Sequence, residues 1–197
     1  MTDTARAFWN SEAATFDDEP DHGLADPETR AAWRRLLLEH LPPAPADVAD
    51  LGSGTGTLSL LLAAEGYRVQ GLDLAEEMVA AATRKTETAG TPVTFRQGDA
   101  STPPYPSGTF DVVLSRHVLW AMRDRSEAVR AWTDLLRPGG RLLLVEGHWF
   151  TGGGLTAAEC ERLLHEHRDS VAVRGLDDAV YWGREIDDER YLAISTR

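Results

Sequence analysis

The sequence predicts a single α/β domain, a three-layer sandwich in which helices cover both faces of a mostly parallel sheet. From residue 48 onward, short apolar segments alternate with stretches of helical periodicity, which is typical of consecutive βαβ units. The length of 197 residues suits one domain with one sizeable core. Hydrophobic residues make up 42% of the chain and charged residues 26%, which indicates a globular protein rather than a disordered or fibrous one.

Five strands are predicted between residues 48 and 145, and turn-forming residues separate them from the helices. Gly90 and Pro92 end the helix before the third strand, and Pro138 with two glycines ends the helix before the fifth. The fifth strand, Arg-Leu-Leu-Leu-Val, is apolar enough to be buried on both faces. The predicted strands are 48–51, 67–72, 93–95, 110–114 and 141–145, and the predicted helices between them are 58–65, 75–88 and 126–136.

The carboxyl end departs from this alternation. Thr156 and Glu159 form a capping-box pattern at the start of a helix that runs to His167. Two β-rich stretches follow, 171–173 and 191–195, with too few residues between them for a crossover helix. We therefore expect them to pair antiparallel at one edge of the sheet.

The amino end is helical and precedes the sheet. Residues 4–14 and 27–40 have helical patterns, and an acidic segment rich in breakers, 17–23, separates them. A proline-rich link then leads into the first strand. The single predicted domain, 1–197, is accordingly divided into an N-terminal helical lid at 1–46, a core at 47–146, and a C-terminal helix and hairpin at 147–197.

Net charge and cysteine content exclude several classes of function. The 32 acidic residues outnumber the 20 basic ones, and the formal charge of -12 repels nucleic-acid phosphates, so we expect no nucleic-acid partner. A single cysteine can form neither an internal disulfide nor a structural zinc site by itself. The first residues show no signal-peptide pattern, and no apolar run of about 18 residues occurs, which predicts a soluble cytoplasmic protein without a membrane partner.

A glycine-rich segment joins the first strand to the following helix. In Asp50-Leu51-Gly52-Ser53-Gly54-Thr55-Gly56, alternate glycines permit a tight turn and let a ligand approach the backbone and the helix amino terminus. Taken alone, such a segment also serves as a purely structural turn. The dinucleotide fingerprint G-x-G-x-x-G requires glycine where the chain has Thr57 or Ser59, which counts against the alternative class, a nicotinamide-dependent oxidoreductase.

Two further acidic residues follow the second and third strands. Asp73 can accept both hydroxyls of a ribose, and it can equally cap the next helix. Asp99 can accept the exocyclic amine of an adenine, although an aspartate at this point is also common in turns. Together with the glycine segment, they place polar groups at the carboxyl ends of three strands, where open α/β sheets bind ligands.

In their order along the chain, these segments resemble the motifs of the class I S-adenosylmethionine-dependent methyltransferases. The glycine segment matches that family's glycine motif, and Asp73 and Asp99 match its ribose and adenine-side acids. Segments 110–116 and 135–141 match its fourth-strand block and its turn into the fifth strand. The resemblance covers about half of the chain and points to small-molecule enzymes of the ubiquinone and menaquinone type. It implies a Rossmann-like seven-stranded sheet of order 3-2-1-4-5-7-6 with the last strand antiparallel.

The same resemblance implies S-adenosyl-L-methionine as cofactor, with S-adenosyl-L-homocysteine as product. The glycines would pass its methionine portion, Asp50 would meet its amino group, and Leu74 and Met78 would flank its adenosine. A methionine at such a position is also a common core residue. The full cofactor set implied in this way is Asp50, Gly52, Ser53, Gly54, Gly56, Asp73, Leu74, Met78, Asp99, Ala100, Ser115 and Arg116.

The predicted reaction is methyl transfer to nitrogen or oxygen of a small molecule. This in-line displacement is accelerated by alignment and desolvation, and a general base is needed only where the acceptor must lose a proton. His117 and His148 follow the fourth and fifth strands and are the candidate catalytic bases, although either could instead serve packing or capping.

Aromatic residues complete the predicted site. The candidate substrate contacts are Trp9, Phe16, His22, Trp120 and Trp149, although aromatic residues at such positions are often part of a core. The first three belong to the predicted lid. No group of residues has metal-ligand spacing, so no metal is expected. A non-catalytic cofactor-binding or partner protein remains an alternative, and the predicted state is a monomer or homodimer.

Overall fold

A computed structural model describes residues 3–196 and contains one seven-stranded sheet of order β3-β2-β1-β4-β5-β7-β6. The predicted strand order is therefore confirmed. Met1, Thr2 and Arg197, at the two ends of the predicted domain, lie outside the described residues. The strands are β1 Asp47–Leu51, β2 Arg68–Asp73, β3 Thr94–Gln97, β4 Phe110–Arg116, β5 Leu136–His148, β6 Ser170–Gly175 and β7 Glu189–Thr196.

Seven α-helices flank the sheet within the described residues. They are α1 Asp3–Glu12, α2 Pro20–Gly23, α3 Pro27–His40, α4 Thr57–Ala64, α5 Glu76–Ala89, α6 Arg125–Asp134 and α7 Ala157–His165. Short 3₁₀ turns occur at Phe16–Asp18, Leu119–Ala121 and Ala179–Tyr181. None of the helices between residues 3 and 196 is long and apolar enough to cross a membrane.

The strand directions follow the prediction. β1 pairs in parallel with both β2 and β4, and β4 pairs in parallel with β5. β7 runs antiparallel to β5 on one side and to β6 on the other. The C-terminal stretches thus form the expected antiparallel pair at one edge. A parallel pair would need a crossover connection, usually a helix, and the segment between these two strands contains only a short 3₁₀ turn.

Apolar side chains of alternate strand residues form a core on each face of the sheet. Ala49, Leu51 and Val113 belong to one hydrophobic cluster, and Val48 and Leu114 belong to the other. Helices close both faces, because a buried tryptophan of α6 lies in the first cluster and one of α3 lies in the second. Burial on both faces explains why these strands are almost continuously apolar.

Several element boundaries differ from the predictions. β4 continues to Arg116 because Ser115 and Arg116 still pair with β5. β5 begins at Leu136, five residues early, because Leu136 pairs with Phe110 before a register shift that passes the proline and glycines. In the amino-terminal part, the acidic segment 17–23 was predicted to break helices, but it contains α2 and most of the 3₁₀ turn Phe16–Asp18.

Candidate functional site

A cavity of about 360 Å³ lies at the carboxyl ends of β1, β2 and β4, beneath the amino-terminal segment. This volume is within the range of small-molecule sites, roughly 300–1,000 Å³. Parallel strands direct their carboxyl ends to the same edge, which is why motifs far apart in sequence meet here. The lining residues are Trp9, Phe16, His22, Asp50, Gly52, Ser53, Gly54, Leu58, Asp73, Leu74, Met78, Ala100, Arg116, His117, Val118, Trp120, Ala121, Trp149, Thr151 and Gly153.

The glycine loop forms one wall of this cavity. Gly52 and Gly54 have φ values of 75° and 53°, which favour glycine. A Cβ atom on Gly52 would lie 2.2 Å from a methyl carbon of Val118, so the chain can follow this path only without a side chain there. The backbone N–H groups of Gly52 and Ser53 donate to the carbonyl of Leu72 at 2.7 and 3.0 Å, which holds the loop against β2.

Asp73 connects the glycine loop to the start of α5. One carboxylate oxygen accepts the N–H of Gly54 at 2.8 Å, and the other accepts the N–H of Ala75 at 2.9 Å. Burial raises the pKa of Asp73, and these hydrogen bonds oppose the increase. A carboxylate has about four lone-pair sites, so each oxygen can also accept a hydrogen bond from a ligand hydroxyl. Asp73 thus hydrogen-bonds to the residue that precedes α5 and does not cap the helix, and this contact leaves acceptor sites for the predicted ligand contact.

An acidic and a basic side chain share the end of the cavity near α4. The Asp50 carboxylate accepts the hydroxyl of Ser59 at 2.6 Å, and burial raises the pKa of Asp50 to about 6. The Arg116 guanidinium donates to the carbonyl of Asp21 at 2.5 Å and lies 5.2 Å from the ring centre of Trp33. Within residues 3–196, no carboxylate forms an ion pair with Arg116.

The amino-terminal segment covers the cavity and is attached to the core by polar contacts. The rings of Phe16 and His22 stack with their centroids 4.1 Å apart. The ammonium of Lys85 donates to Asp17 at 2.7 Å and to Thr57 at 2.9 Å, while the other oxygen of Asp17 accepts the hydroxyl of Thr55 at 2.6 Å. This network joins the segment to α5 and to the glycine loop.

The opposite end of the cavity is aromatic. The His117 ring stacks on Trp182 with centroids 5.9 Å apart and meets Trp149 edge-on at 5.4 Å. Trp149 in turn contacts Trp120, whose indole N–H donates to the carbonyl of His117 at 2.9 Å. Burial lowers the pKa of His117 well below its ordinary value, and neighbouring cations lower it further. His117 is therefore neutral at physiological pH.

A buried carboxylate supports the loop that carries this aromatic end. One oxygen of Glu146, in β5, accepts the N–H groups of Val118 and Leu119 at 3.0 and 2.6 Å. The second oxygen is buried and has no hydrogen-bond partner within the described chain. Burial raises the pKa of Glu146 to about 8, so the side chain carries a proton at neutral pH.

Four predicted site residues do not line the cavity. His148 is exposed and pairs with Glu189 at the end of β5, beyond the cavity. The Asp99 carboxylate accepts the N–H of Ser101 at 2.8 Å, and its neighbour Ala100 reaches the cavity instead. Ser115 is fully buried, and its hydroxyl donates to Leu51. Gly56 faces Phe95, whose ring a Cβ would approach to 2.5 Å, so this glycine serves packing.

Comparisons with known proteins identify the family. A family model described as a methyltransferase domain matches residues 49–144. A demethylmenaquinone methyltransferase of Thermus thermophilus is 39% identical over 117 residues, which are 58% of this chain and 53% of that protein. A 27-O-demethylrifamycin SV methyltransferase of Amycolatopsis mediterranei is 32% identical over 175 residues, 87% of this chain and 61% of that protein. The chain belongs to the class I S-adenosylmethionine-dependent methyltransferases.

The methyltransferase fold extends over most of the chain, whereas its sequence relatives are longer. A crystal structure of the cyclase SpnF superposes with a TM-score of 0.74 at 20% identity, covering 84% of this chain and 80% of that one. At that identity the likeness shows the fold alone. The chain spans 53% and 61% of the length of the two methyltransferase relatives.

Two polar features of this methyltransferase were not predicted as parts of its site. Lys85 contacts Asp17, and the only sign of a special role in the sequence is that it is the chain's single lysine. Glu146 is the one acidic residue that directly follows the apolar run of β5, which was a signal for a buried carboxylate. The partners of both residues are distant in sequence, so only the folded chain identifies them.

Proposed function

We propose that this protein binds S-adenosyl-L-methionine in the cavity and transfers its methyl group to a small molecule. Family membership supports the cofactor. The observation that carries the proposal is the arrangement of charged groups: Asp73 lies at one part of the wall, and Asp50 and Arg116 lie together at another. A ligand with ribose hydroxyls and a zwitterionic amino-acid end complements both parts.

The lining residues fit the two ends of this cofactor. Asp50 offers a carboxylate for an ammonium group, and Arg116 offers a guanidinium without a carboxylate partner in residues 3–196 for a carboxylate group. Leu74, Met78 and Ala100 offer apolar surface beside Asp73, where an adenine would be covered. Gly54 has no Cβ, which would lie 3.2 Å from the Phe16 ring, so glycine leaves room for a ligand to approach the loop closely.

The bound cofactor supplies an electrophilic methyl group, and the protein's residues exclude water and orient the acceptor. Phe16 and Trp9 cover the cavity from the amino-terminal segment. Trp120 and Trp149 offer a flat apolar wall for an acceptor at the other end. His117 lies beside them as a neutral imidazole, whereas His148 is exposed and does not line the cavity, so of the two histidines only His117 is placed to act on an acceptor.

A small acceptor with an oxygen nucleophile suits these observations best. The two relatives are named for demethylmenaquinone and 27-O-demethylrifamycin SV, which are small molecules, and the second name specifies an oxygen position. The NAD-dependent alternative is not favoured, since the family matches and the nucleotide fingerprint is missing. The cytoplasmic location, the monomeric or dimeric state and the absence of a nucleic-acid partner stay predictions.

The proposal is tested by calorimetric titration of S-adenosyl-L-homocysteine. We expect micromolar binding to the unaltered protein and at least about tenfold weaker binding to Asp73→Asn, because a charge-assisted hydrogen bond contributes roughly 1.5–3 kcal/mol. Asp187→Asn, at an exposed aspartate outside the cavity, is the matched control and should bind normally. Absence of binding to both the cofactor and its product would refute the proposal.

Catalysis is tested separately from binding. The protein is incubated with a metabolite mixture and cofactor labelled in the methyl group, and labelled products are detected by mass shift. A labelled small molecule is expected. Cofactor binding without any labelled product across such mixtures would instead favour the non-catalytic alternative.

A further inference from the structure

We propose that Asp21, His22 and His117 form a binding site for one divalent transition-metal ion at the aromatic end of the cavity. One potential ligand atom from each of these side chains lies within 4.8 Å of the other two. Asp21 and His22 belong to α2 in the amino-terminal segment, and His117 follows β4. The folded chain thus brings together two imidazoles and a carboxylate that have no metal-ligand spacing in the sequence.

One ring nitrogen of each histidine in this cluster has no hydrogen-bond partner within residues 3–196. Nδ1 of His22 and Nε2 of His117 are both buried and make no hydrogen bond within residues 3–196. A buried polar atom without a partner costs about 1–3 kcal/mol, and such an atom in a native structure commonly indicates an ion or water. A metal ion bound by Nε2 of His117 would remove this cost at that nitrogen, and His22 would bind it through its other nitrogen, Nε2, which faces Asp21.

The Asp21 carboxylate of the cluster is also buried. Asp21 is 4% exposed, and no hydrogen bond to its carboxylate occurs in the described part of the chain. Nε2 of His22 lies 3.6 Å from one of its oxygens. Two ligand atoms of a tetrahedral ion, each about 2.0–2.1 Å from the metal, are about 3.3 Å apart. The observed distance of 3.6 Å is close to this value, so small side-chain rotations would allow both atoms to bind the same ion.

The two imidazole rings are already held in position by their surroundings. His22 stacks on Phe16 at an interplanar angle of 10°, and His117 stacks on Trp182 at 16°. His117 also has a left-handed backbone conformation, φ 58°, which is unfavourable for a residue with a Cβ. Such conformations are concentrated at functional sites, where the surrounding structure maintains them.

The charges around the cluster permit a cation. Arg190 and Arg116 are the nearby cationic groups that act on His117. Arg190 is paired with Asp188 at 2.9 Å, and Asp50 and Asp21 offset the charge of Arg116. Two nitrogen ligands and one oxygen ligand suit Zn²⁺, Co²⁺ or Fe²⁺ rather than Mg²⁺ or Ca²⁺, which prefer oxygen.

Three protein ligands leave a coordination position open toward the cavity. A hydroxyl oxygen is a suitable fourth ligand, and metal binding would make its proton more acidic. This consequence, which rests on the proposed function, again favours an oxygen acceptor and assigns His117 as a metal ligand rather than as the base. The metal site itself does not depend on methyl transfer.

Titration of tag-free, metal-stripped protein with Co²⁺ tests the site. We expect one equivalent to bind, with visible d–d absorption and with quenching of tryptophan fluorescence, because the Trp149 ring lies 5.4 Å from that of His117. Asp21→Asn and His117→Asn should each weaken binding at least about tenfold. Asparagine suits the left-handed backbone at position 117, so the second variant should fold. His148→Asn, at an exposed histidine outside the cavity, is the matched control and should bind normally.

The same samples separate this proposal from the preceding one. No binding of Co²⁺ or Zn²⁺ at millimolar concentration, or equal binding by the unaltered protein and His117→Asn, would overturn the metal site. Titration of S-adenosyl-L-homocysteine into the metal-free protein reports on the cofactor site alone. If the variants do not fold, the stoichiometry and the fluorescence quenching of the unaltered protein still decide the question.

Discussion

Replacement of Glu146 by glutamine should remove a large part of the pH dependence of this protein's stability. The pKa of Glu146 is about 8 in the folded protein, because the side chain is buried, against 4.5 as the ordinary value. The folded state therefore retains a proton that the unfolded state releases, and the free energy of unfolding falls as the pH rises from about 4.5 to about 8. Above this range the full loss is present.

The size of the effect follows from the difference in pKa. One pKa unit corresponds to about 1.4 kcal/mol, so ionisation of this carboxyl group in the unfolded state lowers the stability by roughly 3 kcal/mol at pH 7, and the loss reaches at most about 5 kcal/mol above pH 8. A glutamine in its place would keep the oxygen that accepts the N–H groups of Val118 and Leu119. The buried amide donors of that glutamine would lower the free energy of unfolding by about 1–3 kcal/mol at every pH. This cost does not change with pH, so it adds no slope to the plot of stability against pH.

Urea denaturation between about pH 5 and pH 8 measures this slope. The unaltered protein should lose stability with rising pH, and Glu146→Gln should show a clearly flatter dependence. Glu161→Gln changes an exposed glutamate on α7 and serves as the matched control, which should follow the unaltered protein. Parallel curves for the unaltered protein and Glu146→Gln would refute the assignment of a protonated, buried carboxyl group.

Two further predictions concern Asp50, which lines the cavity, and Lys85, which attaches the amino-terminal segment. The pKa of Asp50, raised by burial to about 6, implies that its charge is lost as the pH falls through that value. Affinity for S-adenosyl-L-homocysteine should therefore decrease below about pH 6, and Asp50→Asn should bind more weakly and without this dependence, as calorimetry at several pH values will show. Lys85→Met removes the ammonium that joins Asp17 to α4. It should increase proteolysis within the amino-terminal segment and weaken binding severalfold; unchanged proteolysis would contradict the proposed attachment.

The strands of the sheet were predictable because their signals are local, whereas the strand order followed from the family resemblance. Alternating apolar strands and helical periods specify a parallel sheet, and glycine at positions 52 and 54 specifies a turn that only glycine accommodates. Asp73 was predictable for the same reason, since it directly ends β2. Strand boundaries were less accurate: the early start of β5 depends on pairing with Phe110 across a register shift, which no local pattern shows.

Predictions for residues just beyond the strands were less uniform. His117 and His148 occupy similar positions in the sequence, yet one lines the cavity and the other is exposed. The difference arises because β5 continues past the sheet edge, paired with β7, whereas the chain after β4 turns immediately. Asp99 likewise forms a turn contact with Ser101, one of the two alternatives that its position allowed.

The sequence by itself determined the alternation of strands and helices and, through its resemblance to the class I methyltransferases, the sheet order and most of the residues that line the cavity. The alternation follows from periodicity, and parallel strands bring the groups at their carboxyl ends to one edge. Only the tertiary structure decided the contacts of the amino-terminal segment. Arg116 meets the carbonyl of Asp21 across 95 positions, and Lys85 meets Asp17 across 68. Such contacts depend on how helices dock on the sheet, and docking follows the complementarity of packed surfaces rather than any local pattern of residues.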